Sequence, residues 1–293
     1  MGRKSRYDIV AIDDAGATRL ISSLSIDRPA YMHTFAVTER HVVLAEFPLV
    51  VNPLRLLLSG RPFIENFRWE PERGTRFWVV SKEDGRIVTA QQVDAFFAFH
   101  HVNAFERGDD IVLDICAYPD PGIIESLYLK NIRSGVDIPA PELRRYHLAR
   151  KKGDCRCEVL SPGNLELPRI NYRRNSAREY QYTYGAGTRR SRNFIDELVK
   201  VDVRSGGRRT WFEEGTYPGE PVFVGSPGAS REDAGVILAV VLDGKSGTSF
   251  LLALDAETFE ELGRAVTPHH IPFGFHGQYV TGAGLWNEPH LHR

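Results

Sequence analysis

The chain is poor in cysteine: Cys116, Cys155 and Cys157 are the only 3 in 293 residues. An odd, sparse set makes no disulfide framework, which points to a reducing compartment and a cytoplasmic protein. Cys155-Arg156-Cys157 has no second Cys or His pair at zinc-site spacing, so it reads as structural or incidental. No apolar run approaches the roughly 20 residues a membrane-spanning helix needs. Charge of one sign is not in excess either, with 37 basic and 38 acidic residues. That balance excludes a general nucleic-acid binder, which needs a basic surface to neutralise phosphates. Strict repeats, low-complexity stretches and Pro/Gly/Ser linkers are missing too, so residues 1–293 read as one domain.

Helical periodicity is also scarce. Pro53–Leu58 and Pro121–Ser134 are the two helix candidates. Short strand signals fill much of the rest: Ile9–Ile12, Tyr31–Val37, His41–Glu46, Arg76–Val80, Arg86–Ala90, Ile111–Cys116, Val222–Val224, Val236–Leu242 and Ser249–Leu254. They are rich in Val, Ile, Phe and Tyr and are bounded by Gly, Pro, Asp or Asn, as half-buried strands are. Turn words such as Glu83-Asp84-Gly85-Arg86 and Arg107-Gly108-Asp109-Asp110 separate them. The pattern is all-β with a few helical loops: a propeller, a sandwich or a barrel. The first strand signal, from Arg6, begins uncapped, so more chain is expected before it.

The chain has 10 histidines and none in an HExxH word. Three stand in distinctive surroundings: Met32-His33-Thr34-Phe35, Phe99-His100-His101-Val102-Asn103-Ala104-Phe105-Glu106, and Pro272-Phe273-Gly274-Phe275-His276-Gly277. In a strand, adjacent side chains point to opposite faces, so only one of His100 and His101 can face a common centre.

These three words, in this order, resemble the iron-binding signatures of the carotenoid cleavage oxygenase family. The resemblance runs from about Tyr7 to Val280, and its middle word is the most specific. It implies a seven-bladed β-propeller with Fe(II) on its axis, held by His33, His100 and His276. A fourth histidine and the first blades are implied upstream of Met1, since residues 1–30 contain neither His nor Glu. The words around Glu166 (Asn164–Tyr172) and Glu220 (Tyr217–Val224) resemble segments whose carboxylates accept the far N–H of a ligating imidazole. Glu166 is assigned to His100 and Glu220 to His276, an arrangement that fixes tautomer and ring orientation. His101, His41, His147, His269, His270, His290 and His292 are read as non-ligands, and Glu106 as structural.

The implied activity is cleavage of a carotenoid or apocarotenoid double bond with O2. The alternatives are a retinoid-isomerohydrolase-like reaction and a lipid-binding remnant without turnover. Phe63, Phe67, Phe97, Phe99, Tyr184, Phe273 and Phe275 are candidates for lining a polyene tunnel. The apolar stretch Phe47–Leu58 is a candidate for peripheral membrane contact, or else a buried helix.

Overall fold

The computed structural model describes residues 5–150, 155–190, 192 and 194–280. His290 and His292 lie outside them. The described residues are mostly β, arranged as an N-terminal hairpin followed by four antiparallel meanders in chain order. The hairpin is Ser5–Ile12 with Thr18–Ile26. The first sheet contains Ala36–Val37, His41–Glu46, Thr75–Ser81 and Ile87–Val93. The second contains His101–Arg107, Asp110–Ala117, Glu142–Ala149 and Arg156–Ser161. The third contains Glu166–Arg169, Tyr182–Gly187, Glu197–Asp202 and Arg208–Phe212. The fourth contains Thr216–Pro218, Val222–Gly225, Gly235–Asp243, Thr248–Asp255 and Glu261–Val266. A small pair, Leu49–Val51 with Phe67–Trp69, is inserted in the first sheet's connection.

The sheets stack face to face, and strand alternation explains how. In Asp110–Ala117, Ile111, Leu113, Ile115 and Ala117 point one way, into a core with Val43, Ala45, Phe77 and Val79 of the first sheet. Val112 and Cys116 point the other way, onto Val199 and Val201 of the third. Apart from Asp114, this strand reads as an apolar run from Ile111 to Ala117, because both its faces are buried. Leu198, Ala186 and Tyr184 continue the stack onto Ile237, Val241 and Leu252 of the fourth sheet. Leu24 and Ile26 of the hairpin cover Val42, Leu44 and Val80.

Polar clasps tie neighbouring sheets. Glu106 accepts from Thr38 Oγ1 at 2.8 Å, Arg40 Nε at 2.7 Å and His41 Nδ1 at 3.0 Å. These donors outweigh its partial burial and hold the carboxyl down to about 2. Glu106 and His41 thus join the second sheet to the first.

Several elements differ from the sequence reading. Only Ala36–Val37 of the expected strand Tyr31–Val37 is paired, leaving His33 in irregular chain just before it. The helix expected over Pro121–Ser134 is split into Gly122–Ser126 and Leu129–Ser134, because Tyr128 takes an extended conformation. The stretch Phe47–Leu58 divides in two. Phe47 and Leu49–Val51 are buried, whereas the helix Pro53–Leu58 buries no residue at all. That helix is capped by Asn52, whose side chain accepts from Leu54 N–H, with Pro53 at its first position. The buried-helix reading of this segment is thereby overturned.

Candidate metal centre

His33, His100, Glu166 and Glu220 each sit at or beside the leading strand of one of the four sheets. His33 precedes the first sheet and His100 the second; Glu166 opens the third. Glu220 lies between the two short strands that start the fourth. The C-terminal segment after Glu261–Val266 returns His276 to the same place. Stacking the meanders in chain order brings these starts together, which is why residues far apart in sequence converge.

One candidate ligand atom from each of His33, His100 and His276 lies within 4.8 Å of the others. Their rings are 5.1 Å (His33–His100), 5.2 Å (His100–His276) and 6.2 Å (His33–His276) apart. Among the described residues no other group of three His, Cys, Asp or Glu side chains is so disposed. His100 is buried; His33 and His276 are exposed.

Each Nδ1 is already engaged. His100 Nδ1 is 2.5 Å from Glu166 Oε2, and His276 Nδ1 is 2.9 Å from Glu220 Oε1. His33 Nδ1 is 3.3 Å from Tyr31 Oη. Nε2 is therefore the atom left on each ring. That of His100 is buried with no hydrogen-bond partner among the described residues. A buried orphan acceptor costs free energy unless something fills its lone pair, and a metal ion does. Burial and the neighbouring imidazoles push the His33 pKa down, favouring the neutral form a metal requires. The residues present fit a metal.

His101 stands apart. Its Nδ1 is 2.8 Å from Thr34 Oγ1, and its backbone N–H donates to that same oxygen at 3.1 Å. Thr34 in turn donates to the Phe99 carbonyl at 2.7 Å. With the hydroxyl proton so used, His101 Nδ1 is the donor in its contact. Burial and nearby His100 push its pKa down to about 3, so the ring is neutral. Thr34 thus splices the His33 segment to the His100 segment. His41 and His147 are bound up with Glu106 and Glu158, away from the cluster. His269 lies beyond the fourth sheet, its carbonyl accepting from Ser249 N–H.

The aromatic candidates separate. Phe63, Phe67, Tyr31 and Phe99 form a row ending at His33, with ring separations of 5.0, 5.7, 6.4 and 5.6 Å. Phe97 backs this row, 4.9 Å from Phe99. Tyr184 is elsewhere, buried between Phe223 and Phe259 with its hydroxyl donating to the Ala256 carbonyl. Phe273 packs on Phe194, and Phe275 is exposed. The sequence reading did not single out Tyr31, Thr34 or Arg169, although each lies inside or beside a motif it used.

The family model described as retinal pigment epithelial membrane protein matches residues 1–281. A carotenoid-cleaving dioxygenase, mitochondrial, of Mustela putorius furo is 36% identical over 91% of this chain and 58% of its own length. A carotenoid cleavage dioxygenase 8 homolog A, chloroplastic, of Oryza sativa subsp. japonica is 37% identical over 86% of this chain and 48% of its own. A mutant of the Synechocystis ACO superposes with a TM-score of 0.83 at 25% identity, over 95% of this chain and 59% of that one. A cobalt-substituted Synechocystis ACO gives 0.82 over 94% and 58%. The chain thus spans about half the length of the relatives it matches. On the family match and these identities, the chain belongs to the retinal pigment epithelial membrane protein family.

Proposed function

We propose that the chain forms the metal-binding portion of a non-haem iron(II) dioxygenase that cleaves a double bond of a carotenoid or apocarotenoid into aldehydes. The observation that carries this reading is the buried, unpartnered Nε2 of His100 beside His33 and His276. Imidazole nitrogens suit iron, and an incomplete neutral donor set leaves positions for other ligands. Iron, when bound, supplies the redox chemistry that lets O2 add across a conjugated double bond. His33, His100 and His276 hold it, while Glu166 and Glu220 orient the latter two rings by accepting from Nδ1. The four meanders are blades of a seven-bladed propeller, whose remaining blades and fourth histidine lie outside residues 1–293. The names of the relatives favour cleavage over isomerohydrolysis or a remnant without turnover.

Full-length protein containing this chain, loaded with Fe(II) and given O2 and an all-trans carotenoid, should yield two carbonyl products by chromatography and mass spectrometry. Near-stoichiometric iron without any aldehyde would sink the cleavage reading; isomerised product would replace it with the alternative.

The exposed helix Pro53–Leu58 supports a membrane-facing entrance. Leu57 is 67% and Leu58 82% exposed, and Arg55 and Arg61 flank them. Such a surface suits a leaflet with anionic headgroups. Among the described residues, no helix is long and apolar enough to cross a membrane, so contact would be peripheral. The row Phe63–Phe67–Tyr31–Phe99 leads from beside this helix to His33, an apolar path for a polyene. Leu57→Asp/Leu58→Asp should weaken flotation with phosphatidylserine liposomes at least about tenfold, from the lost burial of two leucines. Unchanged flotation rules the helix out as the contact.

A further inference from the structure

Glu166 and Arg169 are three residues apart, so a regular strand would point them to opposite faces. The strand is not regular. Glu166 pairs with Ala186 and Arg169 with Tyr184, so one side spends three steps where the other spends two. The extra residue is absorbed at a bulge in which Leu167 has φ +49°, left-handed for a residue with a Cβ. The bulge restores both side chains to one face. Glu166 then meets His100 Nδ1. Arg169 Nη2 meets Glu220 Oε2 at 2.7 Å and also donates to the Gly277 carbonyl, directly after His276.

Glu220 is thereby held at both oxygens. Oε1 faces His276 Nδ1 at 2.9 Å, while Oε2 accepts from Arg169 and from Gly277 N–H at 2.8 Å. The Glu220 side chain is 5% exposed and that of Arg169 15%, against 49% for His276. The exposed histidine thus hangs on an ion pair that is mostly shielded from solvent. Residues 267–280 form no strand or helix of their own. Among the described residues, their backbone is tied to Ser249 at Thr267, His269 and Ile271, and beside His276 only through Gly277, whose N–H and carbonyl meet Glu220 and Arg169.

We propose that Arg169 is a positioning residue for the metal centre, and that the bulged strand Glu166–Arg169 is one brace setting two ligands at once. Its first residue orients His100; its last orients His276 through Glu220 and the Gly277 carbonyl. Arg169 touches no candidate ligand atom itself. Its Nη2 stands behind the carboxylate and serves both the Glu220 carboxylate and the Gly277 carbonyl, a charge-assisted contact that a guanidinium makes well. This inference rests on the metal-binding reading above, but part of its test does not.

Arg169→Gln and Arg169→Lys, compared with Glu220→Gln, separate a positioning role from a merely structural one. In the metal-free chain, hydrogen exchange at the Gly277 amide should quicken at least about tenfold in Arg169→Gln, as the segment loses its anchor. Co(II) titrated alone, followed by its visible absorption, should bind Arg169→Gln about 10–100-fold more weakly, the usual cost of losing an outer partner. Arg169→Lys should recover part of both losses, and Arg169→Gln/Glu220→Gln should be little worse than Glu220→Gln alone. Should Arg169→Gln fail to fold, the lysine variant must still show intermediate exchange and Co(II) affinity. Unchanged Gly277 exchange and unchanged Co(II) affinity in a folded Arg169 variant overturn the inference. Failure of the unsubstituted chain to bind Co(II) overturns the metal reading instead, and leaves the exchange result to decide whether Arg169 anchors the segment.

Discussion

Replacing His100 with alanine should reduce bound iron to background and weaken Co(II) binding by more than about 100-fold, beyond what loss of an outer partner costs. The reasoning starts from exposure. His33 and His276 face solvent, so each loses little when its Nε2 bonds to water instead of metal. His100 is the buried member, and its Nε2 has no alternative partner among the described residues. Its ring is also the most firmly oriented, with Glu166 Oε2 2.5 Å from Nδ1 and that oxygen accepting further from Leu167 N–H at 2.9 Å. A pre-oriented, dehydrated donor contributes more than a mobile wet one, because less order is lost on binding. The neighbour supplies the control. His101→Ala should leave Co(II) affinity within about threefold while lowering stability by about 1–3 kcal/mol, since Thr34 loses a buried partner. Metal analysis after gel filtration, together with denaturant melts of both variants, checks the pair. Equal metal loss in the two variants would show that burial near the centre, not ligation by His100, controls binding.

That contrast between adjacent histidines was half legible in the sequence. Period-two alternation says that His100 and His101 diverge, and they do, toward Glu166 and toward Thr34. Alternation fails three residues apart at Glu166 and Arg169, because a bulge is a backbone event with no side-chain period. Leu167 is an unremarkable letter that happens to take φ +49°. The long apolar strands were readable for the same reason that they are buried on both faces, as Ile111–Cys116 is. Glu142–Ala149, Tyr182–Gly187 and Glu197–Asp202 were not, because they spell ELRRYHLA, YTYGAG and ELVKVD. Their buried Arg145, Thr183 and Lys200 look like surface residues until their partners are known. Lys200 finds Asp233 at 2.8 Å, 33 residues away, a pairing that no local window contains. The exposed helix at Pro53–Leu58 is the reverse case: its apolar letters suit a buried helix as well as a membrane contact, and the fold leaves them outside.

Asp114→Ala should be the most damaging substitution away from the metal centre, costing about 3–5 kcal/mol, as removal of one partner of a buried ion pair does. Asp114 is fully buried in Asp110–Ala117, with Arg145 as its direct cross-strand neighbour. Its carboxylate accepts Arg145 Nε at 2.8 Å and Nη2 at 2.7 Å, a two-pronged geometry. It also accepts the Tyr180 hydroxyl at 2.5 Å. Tyr180 leads into the third sheet, so the carboxylate joins that sheet to the second where Asp114 faces it. Burial and the adjacent carboxylate hold the Tyr180 pKa well above its ordinary value, so the phenol remains a donor throughout the working range. Alanine would strand the Arg145 guanidinium, 8% exposed at its side chain, without a counter-charge and leave Tyr180 without an acceptor. Tyr180→Phe removes only a neutral donor and should cost about 1 kcal/mol. Asp114→Leu/Arg145→Met removes both charges together and should lie closer to the unsubstituted protein than Asp114→Ala does. Urea denaturation of the three variants orders them, and a loss below about 1 kcal/mol in Asp114→Ala would mean that water reaches Arg145 once the carboxylate is gone. In that event the docking of the second and third sheets rests on Val112, Cys116, Val199 and Val201 rather than on the buried charge.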